Sequence, residues 1–439
     1  MIPILTRILS TADYGKVNTY TAWMAILAYI MGLALEYSVR NAYVDYKDQF
    51  EEYVSSICGA SLVNLIVTGT IIFSINKFVF RQGSDLICLF CILHAYVHAV
   101  INYYNAKFTM QEQYKKRVAL LIIPNLLSSV LGVVLIIGLS TDKYMGRILG
   151  YILTFVPLGA LLIFLQFKKT KIFYDLAYWK YGLTISLPMI AHGLSTVLLT
   201  NSDRIILSKM LGDEATGIYS LVYNCSMVVT AVVLAIENIW IPWFTERMVR
   251  REHKKINRAA ISYIWLVTIT ISGVLLISPE IITVVATKEY WSGKEILSPL
   301  ILSSFVIFLY SLSVGVEIFY KITKNIAINT LVAALLNIVL DIIFIPKYGI
   351  KAAAYATLIA YICSFTGHYI CARKLNTKIF PLKIYIAPAV SLSIIATING
   401  RLMDNWVLRW SIAIILALAY ILIYINKNRK NGAENVKKR

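Results

Sequence analysis

The chain has 439 residues, 59% hydrophobic and 15% charged, with a formal net charge of +19 and a mean hydropathy of +0.70. None of its 42 lysines and arginines falls in the middle of an apolar run. A charge at a bilayer centre costs about 2.5–3.5 kcal/mol, so this exclusion rules out a soluble globular protein and predicts a polytopic α-helical membrane protein.

Thirteen apolar segments follow one another: 17–39, 54–75, 86–106, 118–139, 148–167, 182–202, 217–241, 259–277, 296–320, 326–345, 352–372, 384–399 and 407–425. Each is close to the length that crosses a ~30 Å hydrocarbon core as a helix. Their connections alternate in charge. One set, from Arg40–Lys47 to the tail after Ile425, carries 28 basic residues and the other carries 14. The richer set is expected to be cytoplasmic. The basic tail (residues 426–439) then reads as a lipid-adjacent cytoplasmic tail, with no nucleic-acid partner. The six cysteines all lie in apolar segments and read as small buried residues, not a disulfide framework.

The chain repeats itself. Arg7-Ile-Leu-Ser-Thr-Ala-Asp-Tyr-Gly15 returns as Lys209-Met-Leu-Gly-Asp-Glu-Ala-Thr-Gly217, and Lys143-Tyr144-x-x-Arg147-x-x-x-Tyr151 as Lys347-Tyr348-x-x-Lys351-x-x-x-Tyr355. The nearly equal offsets predict an all-α fold of two pseudo-symmetric six-helix lobes in parallel orientation. The first lobe covers 1–167 and the second 182–372; two extra helices (384–425) and the tail follow. The alignment pairs Met1 with about Asp203, so the first helix of the first lobe is expected to be largely missing.

At these residues the chain resembles the Wzx-type oligosaccharide flippases of the MOP superfamily, which also holds MATE exporters and the lipid II flippase MurJ. The resemblance runs through Pro3-Ile-Leu-Thr-Arg7 with Tyr14-Gly15, Ser186-Leu-Pro188 with Asp203-Arg204 and Gly217-Ile-Tyr219, and Asn337 with Ile345-Pro346-Lys347-Tyr348-Gly349 and Ala352-Ala353. Asp341 departs from it, as Asn or an apolar residue is expected there. It implies a non-enzymatic flippase in the inner (plasma) membrane, without cofactor. The implied cargo is a polyprenyl-pyrophosphate-linked oligosaccharide, moved from the cytoplasmic to the outer leaflet for O-antigen, lipopolysaccharide or capsule synthesis. Membrane lipid and a polysaccharide polymerase or chain-length machinery are the further partners implied. The rival readings are a cation-coupled MATE-type drug exporter and a membrane polymerase or glycosyltransferase. The short outer connections argue against the enzymes.

Carboxylates at membrane depth are candidates for function. Glu36 and Glu237, related by the repeat, could bind a coupling ion; the competing readings are an i,i+4 contact to Arg40 for Glu36 and the Trp240/Trp243 belt for Glu237. Asp341 has no near partner in sequence and reads equally as cavity-facing or snorkelling. Glu317 is expected to pair with Lys321. Arg7, Arg40, Arg204 and Lys209, at span ends, could meet a headgroup phosphate or anchor the interface. Pro188 is expected to kink or break its helix and act as a gate. Cys88, Cys91, His94 and His98 fall within a wedge of about 120° on one helix, which cannot wrap four ligands around one ion, so no metal site is predicted.

Overall fold

The computed structural model describes residues 1–80 and 84–420. Arg81, the basic tail and the last residues of the final apolar segment lie outside them. The described chain is all-helical, and twelve of its helical segments are long and apolar enough to cross a membrane. A multi-pass membrane protein follows directly. The sequence's thirteenth segment corresponds to the shorter apolar helix Trp406–Tyr420.

Two compact units divide between Gly217 and Ile218. The first holds α1 (Ile2–Ile8), α2 (Thr11–Gly32), α3 (Glu36–Asp45), α4 (Phe50–Ile75), α5 (Asp85–Met110), α6 (Tyr114–Gly138), α7 (Lys143–Thr170), α8 (Leu176–Leu211) and the start of α9 (Asp213–Val249). Local chemistry sets the helix starts. Ser10, Ser84 and Asp175 cap α2, α5 and α8 by accepting from the Asp13, Leu86 and Tyr178 amides at 3.0, 3.2 and 3.0 Å. α5 packs on α2 and α7. α8, which the repeat puts at the head of the second lobe, packs on α2, α3 and α4.

Glycine is required where two helix starts meet. A methyl group at Gly15 would fall on the Asp213 carbonyl, and one at Gly217 on the Thr11 carbonyl. The two copies of the repeated motif thus approach backbone to backbone.

The second unit holds the rest of α9, then α10 (His253–Val285), α11 (Leu297–Phe319), α12 (Thr323–Tyr348), α13 (Ile350–Leu375), α14 (Lys383–Arg401) and α15 (Trp406–Tyr420). α13 packs on α11 and α12, and α10 on α14. Arg409 ties α15 to α10. Its side chain is buried, pairs with Glu280, and donates to the Leu276 and Leu402 carbonyls at 2.7 and 3.0 Å.

Two expectations change here. The first apolar segment is not one helix: Leu33 and Ala34 both adopt left-handed backbone, with φ of 49°, and α2 ends before α3 begins. Pro188, by contrast, does not break α8, which runs unbroken from Leu176 to Leu211. Prolines 124, 157, 242 and 279 also lie inside helices. Neighbouring helices in a membrane bundle can satisfy the backbone groups a proline frees.

Candidate functional site

A short break separates α2 from α3 inside the first unit. Ending α2 leaves its last carbonyls without intrahelical partners. Side chains from two other helices supply them. Asn64 on α4 donates to the Ile30 and Met31 carbonyls at 2.9 Å each. Tyr103 on α5 donates to the Gly32 carbonyl at 2.6 Å. Two consecutive non-glycine residues in the left-handed region are costly, and these bonds hold them in place.

A cavity of about 150 Å³ adjoins the break, lined by Met24, Tyr29, Glu36, His98, Asn102 and Val197 among others. Glu36 stands in the first turn of α3, where the helix dipole favours a carboxylate. Arg40, one turn on, is exposed, with its guanidinium 5.9 Å from the Tyr37 ring centre, and it acts on Glu36 electrostatically. The i,i+4 relation therefore persists as a field and not as a closed ion pair. His98 faces the carboxylate's cavity with a buried Nδ1 that has no hydrogen-bond partner. Tyr29 fixes the opposite wall: a methyl at Gly193 on α8 would collide with its ring. The volume suits a small ion with one or two waters and is below the range of organic-ligand pockets.

The other candidates are distributed. In the second unit, Asp341 is fully buried on α12, one turn after the equally buried Asn337, so it does not snorkel. Glu237 is partly buried and acts electrostatically on Tyr310. Trp240 is buried against Phe244, Tyr263 and Phe380. Arg204 is buried and donates to Asn201 at 2.9 Å, whereas Arg7, Arg40 and Lys209 are exposed. None of the four basic residues lines the Glu36 cavity. Pro188 is exposed on α8. Glu317 does not pair with Lys321; its partner is His368 on α13, 3.1 Å away.

His94, next to the cavity helix face, is engaged by the Tyr20 hydroxyl at 3.2 Å and stacks on Tyr151. Among the described residues, no group of three or more histidine, cysteine or acidic side chains is placed to hold a metal ion. Sequence reasoning missed His98 as Glu36's neighbour and missed His368 altogether. The available signal was that histidines, like acids, are rare within membrane spans.

A family model described as polysaccharide biosynthesis protein matches residues 1–248. The chain belongs to the polysaccharide biosynthesis protein family. The lipid II flippase MurJ, in an inward closed conformation, superposes with a TM-score of 0.65 at 19% identity, over 97% of each chain. An inward-facing multidrug resistance MATE transporter of the MOP superfamily gives 0.61 at 14% identity, over 86% of this chain and 94% of that one. An uncharacterized membrane protein of Haemophilus influenzae is 18% identical over 373 residues, 80% of this chain and 89% of the relative. This member of the polysaccharide biosynthesis family therefore has a MurJ/MATE-like fold.

Proposed function

We propose that the chain is a flippase for polyprenyl-pyrophosphate-linked oligosaccharides, acting by alternating access in the inner membrane during surface polysaccharide synthesis. The observation that carries this reading is the conjunction of the family match over residues 1–248 with a full-length likeness to a lipid II flippase. A sugar headgroup needs a polar path across hydrocarbon, while its lipid tail can remain in the bilayer. Arg7, Arg40, Arg204 and Lys209 are the residues that would meet pyrophosphate or acidic sugar. Glu36, Glu237 and Asp341 would respond to a coupling ion. The α2/α3 break supports that role for Glu36, because discontinuous helices are where transporters place ion sites.

A reconstituted chain in proteoliposomes should move a fluorescent polyprenyl-pyrophosphate oligosaccharide between leaflets. Glu36→Gln should fold and insert normally but slow that movement by about 5- to 150-fold, the span of an ordinary coupling free energy. Efflux of organic cations without lipid-linked sugar movement would instead assign the drug-exporter role.

A further inference from the structure

α11 and α13 enclose a carboxylate and an imidazole away from solvent. The side chains of Glu317 and His368 are both 0% exposed. Glu317 Oε2 and His368 Nδ1 are 3.1 Å apart. The two remaining polar atoms, Glu317 Oε1 and His368 Nε2, have no hydrogen-bond partner. The Tyr310 ring stacks on His368 at 5.7 Å, and Tyr361 stacks on Tyr310 at 6.3 Å. Aromatic rings close the pair where water would otherwise stand.

The charges on surrounding elements have other positions or partners. On α11's end Lys321 is exposed, and so is Lys324 at the start of α12. On α13, Arg373 donates to the Thr377 and Ile379 carbonyls, and Cys371 accepts from Asn325 and Asn329. From α9, Glu237 reaches the Tyr310 hydroxyl electrostatically. α10 carries its basic residues in its first turns and binds its Glu280 to Arg409. α14 contributes Tyr385, buried, and Lys383 and Arg401, both exposed. Asp341 stands about five turns along α12 from Lys324's end. The salt bridge recorded for Glu317 is the one to His368.

Such a pair has a simple proton count. With one proton it is neutral overall, whether the carboxyl donates to the imidazole or the imidazolium faces the carboxylate. With none it carries a net negative charge, and with two a net positive one. Either would be an uncompensated charge in a dry site. A half-satisfied buried network is also costly as a mere staple. Water reaching the bare atoms would relieve both penalties.

We propose that Glu317 and His368 form a proton-binding site of the second unit. Sealed between α11 and α13, they hold one proton; when the helices part and water enters, the proton passes to water, leaving carboxylate and neutral imidazole. The sealed form binds one proton more than the open form, so low pH favours it. Their ratio then changes by up to about tenfold per pH unit. The inference does not depend on the cargo proposed above, and its test uses none.

Spin labels at the exposed positions Ile318→Cys and Ile370→Cys, in a full-length chain otherwise free of cysteine and held in lipid nanodiscs, report the α11–α13 separation. Two distance populations should exchange as the pH is scanned from about 5 to 9, with the sealed one favoured on the acid side. Glu317→Gln/His368→Gln should abolish the pH response. If that variant does not fold, the apolar pair Glu317→Leu/His368→Leu takes its place. Nitrogen-15 spectra of histidine-labelled wild-type chain read the same step without any substitution at the pair: a buried imidazole should change protonation in the same window. A pH-independent separation in the wild-type chain, an unchanged response in either double variant, or the absence of a titrating imidazole in that window overturns the proposal.

Discussion

Each compact unit holds a charged cluster between its helices, three in the first and two in the second, and the two clusters are built on opposite principles. In the first unit Lys107 on α5 donates to Glu51 at 2.6 Å and to Gln166 on α7 at 2.9 Å. Gln166 in turn donates to the Glu51 main-chain carbonyl at 2.9 Å, and Lys169 pairs with the second carboxylate oxygen at 3.0 Å. Tyr104 and Gln111 complete the set. Its ammonium, its carboxylate oxygens and its amide are all hydrogen-bonded. In the second unit the α11–α13 pair has a histidine for its cation and two bare polar atoms. A satisfied network of fixed charge fastens helices; an unsatisfied titratable pair can respond to water. The two units therefore differ in the chemistry of these clusters.

The sharpest way to break this comparison is to remove the fixed cation. Lys107→Met leaves Glu51 Oε2 and Gln166 Oε1 without the buried ammonium. Stability should fall by about 3 kcal/mol, at the low end for a broken buried pair because Lys169 remains beside Glu51. Thermal unfolding of the purified chain in detergent measures it. A loss below about 1 kcal/mol, the scale of an exposed pair, would mean that the first cluster is no more of a fastener than the second.

The spans were legible because apolar length and charge exclusion are properties of consecutive residues. Glu36 was visible as a carboxylate within an apolar run. The break before it was not. Leu33 and Ala34 carry no glycine or proline signal, and their conformation is held by Asn64 and Tyr103, some 30 and 70 positions away in sequence. Pro188 shows the converse: a strong local signal that does not break its helix. Glu317 failed for a related reason: one-turn spacing selects Lys321, but that side chain reaches solvent, and the acid stays inside with a histidine 51 residues on.

The repeated Lys-Tyr-x-x-basic-x-x-x-Tyr motif extends the comparison at single-residue resolution. In the first unit Arg147 is 6% exposed. Its guanidinium lies 4.1 Å from the Tyr151 ring centre and donates to the Ser128 carbonyl at 2.8 Å and the Tyr151 hydroxyl at 3.0 Å. Gly132 makes room for it, since a methyl there would come within 2.9 Å of Nη1. Lysine cannot reproduce a planar fork that serves a ring and two acceptors. Arg147→Lys should cost about 2 kcal/mol, the value of one or two hydrogen bonds to a charged group. Unfolding of this variant with an unchanged midpoint would show that the ring contact and the fork are dispensable.

The second copy of the motif should yield the smallest effect. Lys351 pairs with Glu295, but the two side chains are 56% and 52% exposed, so water screens the attraction and each chain loses rotamer freedom to make it. Lys351→Met should change stability by less than about 0.5 kcal/mol. What little remains should vanish on raising salt from about 0.1 to 1 M, where the screening length falls from about 10 to 3 Å. The variant is informative because the motif is the same as that around Arg147. If it destabilised the chain as much as Arg147→Lys, and did so independently of salt, the motif itself and not its burial would set the energetics. The distinction drawn between the two units would then have to be given up.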